Sequence, residues 1–146
     1  QRQMCIRDRR KVGSLKDASI DAYMHRTSKD LPPQVGVLVA YSGNGAETAH
    51  DVAVHIAAFS PTVLKREDVD ADVVATERRI AEETARTEGK PEAALAKIVE
   101  GRVTGFFKEN VLLEQDFAKD TKQTVSKVVE AAGITISGFL RFRVGA

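Results

Sequence analysis

The stretch VGVLVAYSGNGAETAHDVAVHIAAF, residues 35–59, predicts a strand, a tight turn and a helix in succession. Its first seven residues are apolar and rich in β-branched side chains, which is typical of a well-buried strand. The turn SGNG ends the strand, and Asn44 is predicted to cap the helix in a capping box with Glu47. The helix ends at Ser60, because Pro61 disfavours helical backbone in the residue before it. Its apolar face comprises Ala46, Ala49, Val52, Ala53, Ile56 and Ala57.

Two further strands are predicted beside this one. Residues 17–27 alternate with period two, and so does ITISGFLRFRVGA at 134–146, where Arg141 and Arg143 are expected to point outward. In the first strand, one face carries Ile20, Ala22 and Met24 and the other carries Asp21, Tyr23 and His25. The short polar connection SKDLPPQ favours an antiparallel pair. The predicted fold class is therefore α+β, a three-stranded antiparallel sheet packed with helices.

Residues 70–108 predict two helices joined by the short turn Gly89-Lys90-Pro91, which together form an antiparallel helical hairpin. The first of these helices is highly charged and has few apolar positions. We therefore expect the hairpin to protrude from the body of the protein. A fourth, short helix is predicted to open at Thr124 and to stop at Gly133.

The chain is predicted to have three parts: a leader at 1–11, a core formed by 12–69 and 109–146, and the hairpin at 70–108. The leader, QRQMCIRDRRK, holds five basic residues and one acid, so the rest of the chain carries a net charge of −3 although the whole carries +1. The leader has no hydrophobic period, and MCIRDR resembles translated sequencing-adapter read-through. These features favour a non-native leader over a genuine basic arm.

The composition of the 146 residues excludes several classes of function. A near-zero net charge and 5% aromatic residues argue against direct nucleic-acid binding. No apolar run approaches the roughly 20 residues that cross a bilayer, so no membrane association is expected. A single cysteine, Cys5, can form neither an internal disulfide nor a cysteine zinc site.

The turn at 42–45 is the strongest candidate for a ligand site. A glycine-rich turn before a helix can bind phosphate, and YSGNGAET resembles the phosphate loop of flavodoxins. However, Thr48 stands where a dinucleotide fingerprint needs glycine, and a doubly wound sheet needs more strand–helix units than this chain supplies. We interpret SGNG as a turn that needs positive φ.

Outside the SGNG turn, the sequence shows no pattern that predicts an enzyme, a cofactor or a metal site. His50 and His55 lie five positions apart on a helix and cannot share a metal, so both are expected at the helix surface or partly buried. His25 ends a strand beside a polar connection, where it can meet a partner. The acids lie on helix faces, without the apolar surroundings that raise a carboxyl pKa. These features favour a protein-binding module.

Consecutive blocks of the chain resemble the bacterial elongation factor Ts family. The blocks are YMHRTSKDLPPQVGVLVAY, DVAVHIAAFSPTVL, EGKPEAALAKIVEGRVTGFF, LLEQDFAKDTKQTV and SGFLRFRVGA, in family order from about residue 19 to 146. The resemblance implies a cytoplasmic guanine-nucleotide exchange factor that binds elongation factor Tu carrying GDP and promotes GDP release. It leaves the oligomeric state open, including a homo-oligomer.

The resemblance also implies partner-binding residues. It places Tyr23 and His25 at the contact with the GTPase, together with Phe117, Ala118 and Lys119 of the LLEQDFAK block. The T-D-F-V motif of the family's N-terminal half does not occur in the sequence. The chain is therefore expected to be the second half of such a factor, impaired in exchange. The alternatives are a flavodoxin-like phosphate-binding protein and a helical-hairpin protein adaptor.

Overall fold

The computed structural model of the chain describes residues 12–16, 19–30 and 32–144. The predicted leader at 1–11 lies outside the described residues. The strands are β1 Ser19–His25, β2 Val35–Ser42, β3 Asp116–Phe117, β4 Asp120–Thr124 and β5 Thr135–Arg143. The α-helices are α1 Ala46–Phe59, α2 Ala71–Thr87, α3 Glu92–Asn110 and α4 Val125–Ala131, with 3-10 helices at Arg66–Asp68 and Leu112–Glu114.

Strand β2 is the centre of a three-stranded antiparallel sheet in the order β1-β2-β5. Tyr23 pairs with Val37 on one side, and Val37 pairs with Arg141 on the other. The predicted α+β class and antiparallel sheet are confirmed. The core lies between this sheet and the helices, and includes Val35, Val37, Val39, Tyr41, Ala49, Val52, Ala53, Ile56, Leu112, Val125, Val129 and Ile136.

Strand β1 buries the opposite face from the one that its apolar residues suggest. Ile20 and Met24 are 47% and 61% exposed, whereas Asp21 and Tyr23 are half-buried beside α1. Period two separates the faces of a strand but does not say which face a helix covers. Here α1 covers the polar face, and His50 of α1 pairs with Asp21.

The prediction that Arg141 points outward is wrong. The register between β2 and β5 shifts at Ala40 and Tyr41, so the side-chain alternation of β5 changes phase along the strand. Arg141 consequently lies on the face that packs on α1, where its Nη2 donates to the carbonyl oxygen of Ala57 at 3.3 Å. A guanidinium is favourable beside the carbonyl end of a helix.

The turn before α1 is glycine-rich because the connection between α4 and β5 packs against it. Gly43 has φ of 105°, which confirms the predicted positive φ. A Cβ added to Gly45 would lie 2.6 Å from Cγ2 of Ile134.

The predicted capping box is wrong, since α1 begins at Ala46 with Gly45 as its N-cap and no side-chain cap bond. The last helical residue is Phe59 and Ser60 is the C-cap, which agrees with the predicted end of the helix at Ser60.

A second, two-stranded antiparallel sheet, β3–β4, is absent from the sequence prediction. Strand β3 has only two residues and shifts register within that length. Strands that are so short and polar show no alternation of apolar and polar residues, which is the signal that predicts a strand from sequence. We refer to Phe117–Asp120, where the chain reverses between the strands, as the β3–β4 turn.

Helices α2 and α3 run in opposite directions, as ion pairs of Arg86 with Glu92 and of Arg78 with Glu100 indicate. Ala81, Ala85, Leu95 and Val103 are their buried residues. That this pair protrudes from the body stays a prediction.

The start of α2 and the end of α3 are held together by the two 3-10 helices. The backbone N–H of Leu112 donates to the carbonyl oxygen of Val63 at 2.9 Å. Arg66 forms a two-pronged ion pair with Glu114, with Nη2 at 2.6 Å from Oε2, and its guanidinium lies 4.7 Å from the ring centre of Phe107. The hydrogen bond to Glu114 raises the pKa of Arg66.

His55 is a polar side chain in the core, with 0% exposure, whereas the sequence predicts a surface or partly buried position. Its Nε2 lies 2.8 Å from Oε1 of Gln115, and its Nδ1 accepts the N–H of Ala118 at 3.2 Å. Burial lowers the pKa of His55 below its ordinary value of 6.5, against a smaller raising effect of the Gln115 bond. Burial in the folded protein therefore favours the neutral form of His55.

We expect the free energy of unfolding to decrease as pH falls from about 6.5 to the lowered pKa of His55, and to level off below it. In that window the unfolded chain binds a proton at His55 and the folded chain does not, which gives a slope of at most about 1.4 kcal/mol per pH unit. Urea denaturation across this pH range measures the slope. The matched control is His55→Asn, which removes this contribution; equal slopes in both proteins would contradict the prediction.

Candidate partner-binding surface

The first group of predicted site residues lies at the end of β1. The hydroxyl of Tyr23 is 3.1 Å from Nδ1 of His25. Both side chains line a small cavity of about 110 Å³ with Val54, Ala57 and Ala58 of α1. His25 is exposed and Tyr23 is half-buried. An exposed imidazole beside a small, largely apolar depression can accept a side chain of another protein.

Tyr23 is held in place from the helix side. The ring of His50 meets the ring of Tyr23 edge-on, with 5.7 Å between centroids. Nδ1 of His50 is in turn 3.1 Å from Oδ2 of Asp21, which faces the same helix from β1. Asp21 and His50 therefore join β1 to α1 beside Tyr23.

The second group lies on the β3–β4 turn and divides by exposure. Phe117 is buried, at 5% exposure, and stacks on His55 with 6.0 Å between ring centroids. Ala118 and Lys119 are exposed. Only Ala118 and Lys119 of this group present their side chains to an approaching protein, while Phe117 supports the turn from inside.

An ion pair fastens the tip of this turn to α1. Nζ of Lys119 lies 2.6 Å from Oδ1 of Asp51. The Lys119 side chain is largely exposed, and exposed pairs contribute about 0–1 kcal/mol to stability. The pair serves mainly to hold the Lys119 side chain over α1.

Helix α1 brings the two groups of site residues together. Residues spaced by four form a row along a helix, and adjacent rows lie about 100° apart. One row, His50, Val54 and Ala58, faces the Tyr23 and His25 side. The next row, Asp51, His55 and Phe59, faces the β3–β4 turn. We call the surface formed by His25, Asp51, Val54, Ala58, Ala118 and Lys119 the α1 surface.

Asp51, Val54 and Ala58 are candidate surface residues that the sequence did not single out. The amphipathic pattern of α1 does place these three residues on the side of the helix opposite the predicted apolar face. That pattern marks them as outward-facing but does not reveal that two distant segments border them.

Two kinds of site can be compared with the described residues: a metal cluster and a flavodoxin-like phosphate loop. Among the described residues, no group of three or more His, Cys, Asp or Glu side chains could hold a metal ion. No described helix is long and apolar enough to span a membrane. The strand before the SGNG turn belongs to an antiparallel sheet rather than to the parallel sheet of a flavodoxin-like fold.

Comparisons with known proteins agree on one family. The family model described as elongation factor TS matches residues 3–146, starting within the predicted leader, whose non-native origin stays a prediction. The chain is 65% identical to elongation factor Ts of Renibacterium salmoninarum over 140 residues. It is 64% identical to that of Clavibacter michiganensis over 137 residues and 63% identical to that of Micrococcus luteus over 139.

These alignments cover 93–94% of the chain but 50% of each relative. The chain thus spans about half the length of the curated relatives it matches. With a family match over nearly every residue and identities above 60%, the resemblance of individual blocks is confirmed along the chain. The chain belongs to the elongation factor Ts family.

Proposed function

We propose that this chain binds the GTPase elongation factor Tu through the α1 surface and contributes to exchange of its guanine nucleotide in the cytoplasm. The family membership supports the partner. The single observation that carries the choice of surface is that His25 and the β3–β4 turn border adjacent rows of one helix. Two segments separated by about 90 residues of sequence thereby form one continuous surface.

Exchange of this kind needs no catalytic group on the exchange factor. A protein that binds the nucleotide-free GTPase better than the nucleotide-bound form must weaken nucleotide binding by the same factor. The α1 surface fits this role, since it combines an exposed imidazole, a small apolar depression and one ion pair. Its task is to supply binding free energy to one state of the partner.

The side chains of the α1 surface suggest how binding free energy is distributed. His25 and the depression beside it are the candidates for a buried contact, because they offer apolar area together with a hydrogen-bonding group. Lys119 is exposed at the rim, where a charge mainly affects the rate of association.

His25→Ala is expected to weaken binding to elongation factor Tu by about 1–2 kcal/mol, because it removes the imidazole over the depression. Lys119→Ala is expected to weaken binding less and mainly through slower association at low salt. Calorimetry and surface-binding kinetics measure the two effects. Lys127→Ala, an exposed lysine on α4, is the control for charge removal. Unchanged affinity of the His25 variant would remove that residue from the surface.

A protein consisting of these 146 residues is expected to bind the GTPase but to accelerate GDP release less than the full-length elongation factor Ts of Micrococcus luteus. The T-D-F-V motif, which in the family lies near the magnesium site of the GTPase and disturbs it, does not occur in this sequence. Its absence is the physical reason for slower GDP release. Stopped-flow release of a fluorescent GDP analogue measures the difference. Equal acceleration by the two proteins would contradict it, and failure to bind at all would favour the adaptor alternative.

A further inference from the structure

His55 lies between α1 and the β3–β4 turn, entirely shielded from solvent. The imidazole stacks with two phenylalanine rings. The centroid of the Phe59 ring lies 4.7 Å away with 17° between planes, and that of Phe117 lies 6.0 Å away with 27°. The ring plane is therefore set by packing, which leaves its two nitrogens aimed at fixed partners.

The partners determine which nitrogen carries the proton. The backbone N–H of Ala118 can only donate, so Nδ1 of His55 must be the unprotonated acceptor at 3.2 Å. Nε2 then carries the hydrogen and donates to Oε1 of Gln115 at 2.8 Å. The amide of Gln115 is itself oriented, because its Nε2 donates to the carbonyl oxygen of Glu109 at 2.6 Å. The donor and the acceptor are therefore fixed in each of the three hydrogen bonds that link Ala118, His55, Gln115 and Glu109.

The β3–β4 turn depends on this anchor because its own sheet is so small. Strand β3 contributes two residues, and its register shifts between Asp116 and Phe117. Beyond that ladder, Asp51 holds the Lys119 side chain through an exposed ion pair. The partly buried hydrogen bond from the backbone of Ala118 to His55 joins the tip of the turn to α1.

We propose that His55 is a positioning residue for partner binding: its unprotonated Nδ1 holds the backbone of Ala118, and thereby sets where Ala118 and Lys119 stand on the α1 surface. His55 itself is buried and does not touch the partner. This inference rests on the proposed function of the α1 surface. It adds a residue that neither the exposed surface nor the resemblance assigns to binding.

Two substitutions separate the two hydrogen bonds of the imidazole. In His55→Asn, the amide oxygen takes the place of Nδ1 and can still accept from Ala118, but the bond to Gln115 is lost. In His55→Gln, the longer side chain can reach Gln115 in place of Nε2, but the acceptor for Ala118 is lost. Both variants lose the aromatic ring, so each is the matched control of the other.

We expect His55→Gln to weaken binding to elongation factor Tu about fivefold, which is the effect of losing one hydrogen bond, and His55→Asn to stay within about twofold of the unsubstituted chain. Hydrogen exchange at the amide of Ala118 should accelerate in the Gln variant and change little in the Asn variant. The free energies of unfolding of both variants are measured alongside, because a purely structural role predicts that affinity follows stability rather than the Ala118 bond.

A nitrogen NMR spectrum of the unsubstituted chain tests the geometry without any variant, even if both variants fail to fold. The proposal requires a neutral His55 with the proton on Nε2, and a proton on Nδ1 would overturn it. If the unsubstituted chain binds the GTPase but the two variants bind it equally well, the positioning role is wrong. If the unsubstituted chain does not bind while Ala118 exchange still distinguishes the variants, the proposed function fails instead.

Discussion

Helix α1 packs Ala49, Val52 and Ile56 against the inner face of β2, and the position of every candidate binding residue depends on that contact. Full burial of each larger apolar side chain contributes about 1.5–3 kcal/mol, so the contact between the helix and the central strand contributes several kcal/mol to the stability of the fold. The remaining sides of α1 are left to β1 and to the β3–β4 turn. A single rigid helix therefore aligns two segments that are far apart in sequence.

The two sides of α1 are secured by different means. On the β1 side, the sheet ladder already places Tyr23 and His25, and the pair of His50 with Asp21 adds to it. On the other side, the small β3–β4 sheet has little stability of its own, and the buried His55 supplies the missing anchor. A histidine suits this position because its two nitrogens accept and donate at once, and because its ring stacks with two phenylalanines.

Several predictions from the sequence hold because they rest on local, strongly periodic signals. The buried strand β2, the end of α1 before Pro61 and the start of α4 after Thr124 are of this kind. The errors concern long-range choices: the covered face of β1, the side on which Arg141 lies and the burial of His55. In each case the outcome depends on a contact with another part of the fold, such as the register shift between β2 and β5. The hydrophobic pattern of a single segment does not reveal such contacts.

The sequence by itself determined the α+β class, the family and the segments that carry the candidate residues, because hydrophobic period and ordered sequence blocks are properties of the chain. Only the tertiary structure decided that Phe117 is internal, that Ala118 and Lys119 are exposed, and that His55 joins their turn to α1. The physical reason is that burial and hydrogen-bond direction depend on which surfaces meet, and residues 55 and 118, which are 63 positions apart, meet only through the folding of the chain around α1.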